Sequence, residues 1–243
     1  MVDEQERLKH EIEHGKKISE NAEDVWGWGS PAGQVRANRR AQYFIDLGKF
    51  DSNSKVLEIG CGTGLFTEKV YQQTKANIIA SDISEELLVQ GRKKLPEVTF
   101  QIEDAMNLSF GNEEFDGVFG SSILHHLDME KSLNEIHRVL KPGGRMIFAE
   151  PNMINPQILV QKNVPFIKRW LGDSPDETAI VRWSFKKKLK QHGFKNIKIF
   201  PYDFLNPYTP KPLIGFINGI GKGVEKIPVM KEIAGSVIIY AEK

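Results

Sequence analysis

The sequence predicts an α/β fold: seven short strands, most of them parallel, with helices on both faces of the sheet. Three observations lead there. Five short apolar runs alternate with helix-like segments between residues 55 and 150, and two more strand-like runs follow in the tail. The first run ends in three alternate glycines. The 243 residues are 40% hydrophobic and 27% charged, which describes one sizeable globular domain and not a disordered chain. Strands separated by helices imply right-handed crossovers, and these make neighbouring strands parallel.

Residues 3–14 are charge-dense, with Leu8 and Ile12 four apart, and read as a helix with a narrow apolar stripe. The breaker-rich run Val25-Trp26-Gly27-Trp28-Gly29-Ser30-Pro31-Ala32-Gly33 follows. A helix from Gln34 to Leu47 then buries Val35, Ala41, Phe44, Ile45 and Leu47. The five strand runs are Val56–Ile59, Asn77–Ala80, Val98–Ile102, Phe115–Phe119 and Arg145–Ala149. Ser84 can cap the helix after the second strand, with Glu85 and Glu86 at its positive end and Pro96 closing it. Asp128 can cap another, with Leu133, Ile136, Val139 and Leu140 on one face and Pro142-Gly143-Gly144 ending it. Residues 151–183, holding Pro151, Pro156, Pro165 and Pro175, read as an insertion. Ser184 can cap a helix to His192, Lys195 to Phe204 is a strand, 205–234 is a second Pro/Gly-punctuated segment, and Ser236 to Tyr240 is the last strand.

The densest chemical signal is Val56-Leu57-Glu58-Ile59-Gly60-Cys61-Gly62-Thr63-Gly64. An apolar strand enters alternate glycines and a helix starts near Leu65, so free N–H groups and bare backbone face a ligand at the strand's carboxyl end. A dinucleotide fingerprint fails in both registers, because its last glycine falls on Leu65 or on Thr67. A P-loop fails because no Gly-Lys-Ser/Thr follows. The pattern Glu-x-Gly-x-Gly-x-Gly resembles the first motif of class I S-adenosylmethionine-dependent methyltransferases. Asp82 at the end of the second strand, Asp104 with Ala105-Met106 after the third, the fourth strand ending at Gly120-Ser121, and the Leu140-Lys141-Pro142-Gly143-Gly144 turn extend the resemblance over residues 34–150. Within that class the chain is similar to the small-molecule-acting, type-11-like subgroup.

The resemblance implies a Rossmann-like seven-stranded sheet with the last strand antiparallel, an N-terminal helical lid and insertions after strands 5 and 6. It implies one domain over 1–243: a lid over 1–50, a cofactor-binding core over 51–150, and substrate-cap insertions at 151–183 and 205–234. The implied cofactor is S-adenosyl-L-methionine, leaving S-adenosyl-L-homocysteine as product. Its implied contacts are Glu58, Gly60, Cys61, Gly62, Gly64, Asp82, Ile83, Asp104, Ala105 and Ser121. Asp82 would accept from the ribose hydroxyls, Ile83 would pack on adenine, and Asp104 would meet the adenine amino group.

A sulfonium methyl is already electrophilic, so alignment and exclusion of water supply most of the catalysis. A hydroxyl acceptor also needs a base, and His125 or His126, after the fourth strand, are the candidates. Neighbours on a helical turn point about 100° apart, so at most one faces the acceptor; a purely structural pair that orients the loop is the other reading. Ser121 and Ser122 either hold the cofactor's amino-acid end or make ordinary loop hydrogen bonds. Trp26 and Trp28 either cover the cofactor or pack as core. Arg36, Arg39 and Arg40 either bind an anion or line a solvated helix face. His137 and His192 read as surface groups, and the scattered His give no metal motif.

Phe166, Trp170, Leu171, Trp183, Phe204, Tyr208, Leu213, Phe216 and Ile217 in the insertions would give an apolar or aromatic acceptor pocket. With Lys211, Lys222, Lys226 and Lys231, the segment 205–234 could instead make transient contact with a membrane surface. The expected reaction is methyl transfer to a small acceptor, O-methylation favoured, by a monomer or homodimer. The alternatives are nucleic-acid or protein methylation, and a non-catalytic S-adenosylmethionine-binding module. A net charge of +1 and Gly120-Ser121-Ser122-Ile123 in place of Asn/Asp-Pro-Pro-aromatic speak against nucleic acid. One cysteine excludes a disulfide framework and a thiolate metal site, and Cys61 needs only to be small. With no apolar leader in the first turns, and no apolar stretch long enough to span a bilayer, the expected compartment is the cytoplasm.

Overall fold

In the computed structural model of the chain, residues 12–13, 15–164, 166–167 and 179–243 are described. Leu8, Pro165, Trp170, Leu171 and Pro175, named above, lie outside them. The helices are α1 (Ala22–Val25), α2 (Pro31–Gly48), α3 (Leu65–Thr74), α4 (Glu85–Lys94), α5 (Met129–Val139), α6 (Pro156–Asn163), α7 (Arg182–Gln191) and α8 (Ile214–Val224). The strands are β1 (Lys55–Ile59), β2 (Asn77–Asp82), β3 (Thr99–Ile102), β4 (Phe115–Ser121), β5 (Leu140–Pro151), β6 (Lys195–Tyr202) and β7 (Ser236–Glu242).

The seven strands form one sheet in the order β3-β2-β1-β4-β5-β7-β6. β1 pairs in parallel with β2 and β4, whereas β7 runs antiparallel to both β5 and β6. This is the Rossmann-like arrangement that the sequence implied, with the last strand reversed. The chain turns from one half of the sheet to the other between β1 and β4. The helix after β1 packs in one apolar layer and the helix after β4 in the other, and the crevice at such a switch point is the usual ligand position in these sheets.

Alternate residues of each strand feed opposite apolar layers. Val56 packs with Phe44, Phe66, Val70 and Phe119 on one side. Leu57 packs with Phe115, Val118, Leu133 and Ile136 on the other. That period of two is what a strand covered on both faces needs.

Local chemistry sets most boundaries. Ser30 accepts from Gly33 N at 2.9 Å and Pro31 opens α2, so this helix starts three residues before the expected Gln34. Asp128 accepts from Glu130 N and Lys131 N and caps α5, as expected. Ser84 occupies the cap position of α4, but its hydroxyl donates to Glu86 and caps no backbone group. α7 starts at Arg182, so Ser184 lies inside the helix and is not its cap. Leu140 already pairs with Phe115, which draws Pro142-Gly143-Gly144 into β5 past an irregular step in register. The helix α8 inside 205–234 was hidden by its glycines, which lower intrinsic helix propensity by about 1 kcal/mol each. No helix among the described residues is long and apolar enough to cross a membrane.

Candidate active site

The loop after β1 holds Gly60, Gly62 and Gly64 at φ of 68°, 54° and 79°. Two of them also need the missing side chain. A Cβ on Gly60 would stand 2.5 Å from Ile123, and one on Gly62 would stand 2.8 Å from the Trp26 ring. Asp82 reaches across from β2, and its Oδ2 accepts from Gly62 N at 2.8 Å while Oδ1 accepts from Ser84 N at 3.0 Å. Asp104 follows β3 and accepts from Met106 N at 2.9 Å. Because Asp82 pairs in register with Ile102, both acids stand along the same carboxyl edge. Ile83 is half-buried between them in sequence, and Ala105 is buried.

Glu58 lies beneath this edge, fully buried, with Oε2 accepting from the Thr67 hydroxyl at 2.5 Å. Burial pushes its carboxyl up to about 8, against the Thr67 hydrogen bond and with help from the Asp82 charge. It therefore ties β1 to the first turn of α3 from inside the protein. Burial, with Asp82 and Glu58 nearby, likewise holds the Cys61 thiol well above its ordinary range, so it is not poised as a thiolate.

Across the crevice, β4 ends at Ser121 and leads to a single 3-10 turn, Leu124–His126. His125 is buried, and its Nδ1 lies 2.7 Å from Glu150 Oε2. The other oxygen of Glu150 accepts from Ile123 N at 3.0 Å and Leu124 N at 2.9 Å. Glu150 itself is fully buried near the end of β5, so it fixes both the turn and the imidazole. Burial lowers the His125 pKa and outweighs the Glu150 hydrogen bond that raises it. A neutral ring donating from Nδ1 to Glu150 leaves Nε2 as an acceptor. His126 stacks obliquely on it, ring centroids 4.2 Å apart.

Sequence reasoning missed one residue, Glu150, and left Arg40 between two readings. Glu150 follows an apolar run at the end of its strand, as Asp82 does, and that shared pattern was its available signal. Arg40 is not on a solvated helix face: it is 2% exposed. Its Nε donates to Tyr202 Oη at 2.9 Å, Nη1 to Ser121 and Ser122 at 2.8 and 2.9 Å, and Nη2 to Ser236 at 3.1 Å. It also lies over the Trp28 ring at 4.8 Å. Among the described residues no carboxylate pairs with it. Ala37, Ala41 and Phe44, also buried, share its helix face, so helical spacing was the clue. Arg36 and Arg39 instead pair with Asp203 and Glu225.

The two tryptophans separate. Trp28 is core, edge-on to Phe66 at 5.4 Å. Trp26 stays partly exposed and lies over Gly62. Beside the loop a cleft of about 530 Å³ is lined by Asn21, Glu23, Thr63 and Lys94, among others, but by neither Ser121 nor His125. His192 is not a surface group, since its ring is held by the Lys188 carbonyl at 2.9 Å and Glu130 at 3.0 Å. Of the residues named for an aromatic pocket, Trp170 and Leu171 lie outside the described ones; among the rest, Phe166, Trp183, Tyr208, Leu213 and Phe216 are exposed and Phe204 and Ile217 are half-buried. Among the described residues no cluster could hold a metal ion.

A glycine loop with an acid from each of the next two strands, at the switch point of a seven-stranded Rossmann-like sheet, is an arrangement that a nucleoside cofactor would fit. Comparison with known proteins narrows this. Residues 57–148 match the family described as a methyltransferase domain. A demethylmenaquinone methyltransferase of Symbiobacterium thermophilum is 33% identical over 199 residues, 78% of this chain and 73% of that protein. An O-methyltransferase of Penicillium expansum is 36% identical over 186 residues, 74% of this chain and 65% of that protein. An uncharacterized methyltransferase-like protein of Schizosaccharomyces pombe is 29% identical over 168 residues, 69% of this chain and 64% of that protein. The chain thus spans just under two thirds of these last two relatives. Among solved structures, a SAM-dependent methyltransferase from Archaeoglobus fulgidus superposes with TM-score 0.61 at 20% identity, covering 86% of this chain and 94% of that one. The [4+2]-cyclase SpnF superposes with TM-score 0.65 at 19% identity, covering 96% of each chain. These structural likenesses show the fold alone. The chain belongs to the class I S-adenosylmethionine-dependent methyltransferases.

The residues present fit the cofactor of that family. A buried guanidinium that no carboxylate among the described residues pairs with suits a carboxylate, because an uncompensated buried charge costs several kcal/mol. The carboxylates of Asp82 and Asp104 are acceptor groups of the kind that hydroxyl and amino donors need, since a carboxylate oxygen takes more than one bond. The glycines leave the backbone bare where the ligand approaches.

Proposed function

We propose that the protein transfers the methyl group of S-adenosylmethionine to the hydroxyl oxygen of a small apolar or aromatic acceptor. When bound, the cofactor supplies a methyl on a sulfonium. Asp82 would take the ribose hydroxyls, Ile83 and Ala105 would flank the adenine, Asp104 would accept from its amino group, and the backbone of Gly60, Cys61, Gly62 and Gly64 would bear the amino-acid end. Arg40 and Ser121 would take the carboxylate. Glu58 supports the loop through Thr67 and does not touch the ligand. Trp26 covers the loop from outside and keeps water from it.

The observation that carries the O-methylation reading is the buried His125–Glu150 pair at the same edge. Glu150 holds the Nδ1 proton, so Nε2 can take the acceptor's hydroxyl proton. The oxygen freed of its proton would be the nucleophile for the sulfonium methyl that the bound cofactor would supply, with thioether sulfur as the leaving group. His126 is left as the neighbour that packs on the base. Relatives named for demethylmenaquinone support a second reading, transfer to a ring carbon. The same base serves it, because removing a phenolic proton also enriches the adjacent carbon. The segment 205–234 makes transient contact with a membrane surface, through which an apolar acceptor arrives.

Calorimetry with S-adenosylhomocysteine, NAD and NADP tests the cofactor assignment. Binding of the first alone is expected. Asp82→Ala and Arg40→Met should each weaken it roughly ten- to a hundredfold, as loss of charge-assisted hydrogen bonds does. Binding of a nicotinamide cofactor, or unchanged affinity in both variants, defeats the assignment.

A further inference from the structure

The segment between β6 and β7 is coated on one flank with apolar side chains that no described residue covers. α8 rests on α2 through Ile214 and the half-buried Ile217, which pack with Ala32, Val35 and Leu205. Leu213, Phe216 and Ile220 are instead turned outward, Phe216 being 70% exposed. Ile227 and Val229 continue the strip, Val229 being 78% exposed. A Cβ on Gly215, Gly219 or Gly223 would meet nothing within 4 Å. At 100° per residue these glycines form a ridge, with Phe216 and Ile220 on one side of it and Lys222 on the other.

Charge around the strip is one-sided. Both acids of the segment turn inward: Glu225 pairs with Arg39 and accepts from Asp203 N at 2.8 Å, and Glu232 pairs with Arg182 at 2.8 Å. Lys211, Lys222 and Lys226 are exposed and Lys231 is half-exposed, and among the described residues none of the four pairs with an acid. An apolar strip beside unpaired lysines complements the interface of an anionic bilayer, where rings enter the headgroup boundary and ammonium groups meet phosphates. A second copy fits less well, because a two-fold axis through this face would bring the same lysines together.

We propose that residues 211–233 seat the protein on anionic lipid, with Phe216 and Ile220 entering the boundary and Lys222 and Lys226 bound to lipid phosphates. This deepens the membrane contact included in the proposed function and names its lipid class. The docking itself does not depend on methyl transfer.

Co-sedimentation of the full chain with vesicles tests it, comparing equimolar phosphatidylglycerol and phosphatidylcholine with phosphatidylcholine alone. Binding to the mixed vesicles only is expected, and raised salt should release it. F216S/I220S and K222E/K226E should each reduce it by about tenfold or more. Titration with S-adenosylhomocysteine in the same variants should match the parent, which shows that they fold. No binding to either vesicle, or equal binding by parent and variants, overturns the proposal. So does a dimer in sedimentation velocity that the same substitutions disperse, since that assigns the face to a second copy. Vesicle binding by a parent chain that takes up no S-adenosylhomocysteine overturns the methyltransferase reading and leaves the docking standing.

Discussion

His125 draws its role from one contact. The ring alone is an ordinary titrating group; with Nδ1 on Glu150 and little solvent around it, it stays neutral and keeps Nε2 open. His125→Ala should lower kcat by roughly 10²–10⁴-fold if it removes the acceptor proton. Glu150→Gln is the sharper variant, because the amide preserves size and can still accept from Ile123 and Leu124. It should shift the acid limb of the kcat/KM profile to lower pH, since a contact that raises the His125 pKa is lost. An unmoved limb, with turnover lowered, would make Glu150 a support for the turn only. His126→Ala should change turnover little. The pair His125-His126 was legible in the sequence as a choice between neighbours. Which ring is buried against a carboxylate was not, because Glu150 comes from a strand 25 residues away.

At the scale of elements, the loop between β1 and α3 shows how much depends on the absence of a side chain. Gly62→Ala should cost at least about 1 kcal/mol for the left-handed backbone, and more for the collision with Trp26. At this chain length that lowers Tm by about 2–4 °C or more, and it should also weaken binding of S-adenosylhomocysteine. Gly143 is the control. It has φ of 77° but nothing within 4 Å of an added Cβ, so Gly143→Ala should lower Tm modestly and leave ligand affinity alone. A Gly62→Ala protein that binds like the parent would show that Trp26 simply moves aside. The sequence marked this loop because three alternate glycines after an apolar strand have few other uses. It hid α8, whose glycines read as turns when their neighbours in space are unknown.

For the molecule as a whole, the telling quantity is stability against pH, and Glu58 is its lever. Its folded carboxyl sits near 8 against about 4.5 in the unfolded chain, so the native state keeps a proton that the unfolded state releases. Its contribution is fully present below about pH 4.5 and is lost as pH rises toward 8. Each tenfold difference in proton affinity between the folded and unfolded chain is worth about 1.4 kcal/mol, so the loss reaches a few kcal/mol. Glu58→Gln keeps an acceptor for Thr67 and carries no proton to lose. Stability to urea should therefore fall more steeply from pH 5 to pH 8 for the parent than for Glu58→Gln. Parallel curves would place the titration elsewhere. Arg40 acts on the same scale, since its hydrogen bonds draw α2 to the ends of β4 and β6 and to the start of β7.

By itself the sequence determined the strand and helix rhythm, the parallel core with its ligand loop, and the acids Asp82 and Asp104. Each of these is written in neighbouring residues: periodicity, glycine spacing, or a carboxylate at the end of an apolar run. Tertiary structure alone decided that Arg40 is interior and bonded to Tyr202, Ser121, Ser122 and Ser236, that Glu150 holds His125, and that Trp26 covers the loop while Trp28 fills the core. It also left Phe166, Trp183, Tyr208 and Phe216 exposed, where composition had suggested an enclosed pocket. Burial and partnership depend on which distant elements meet, and such contacts leave no mark in local spacing.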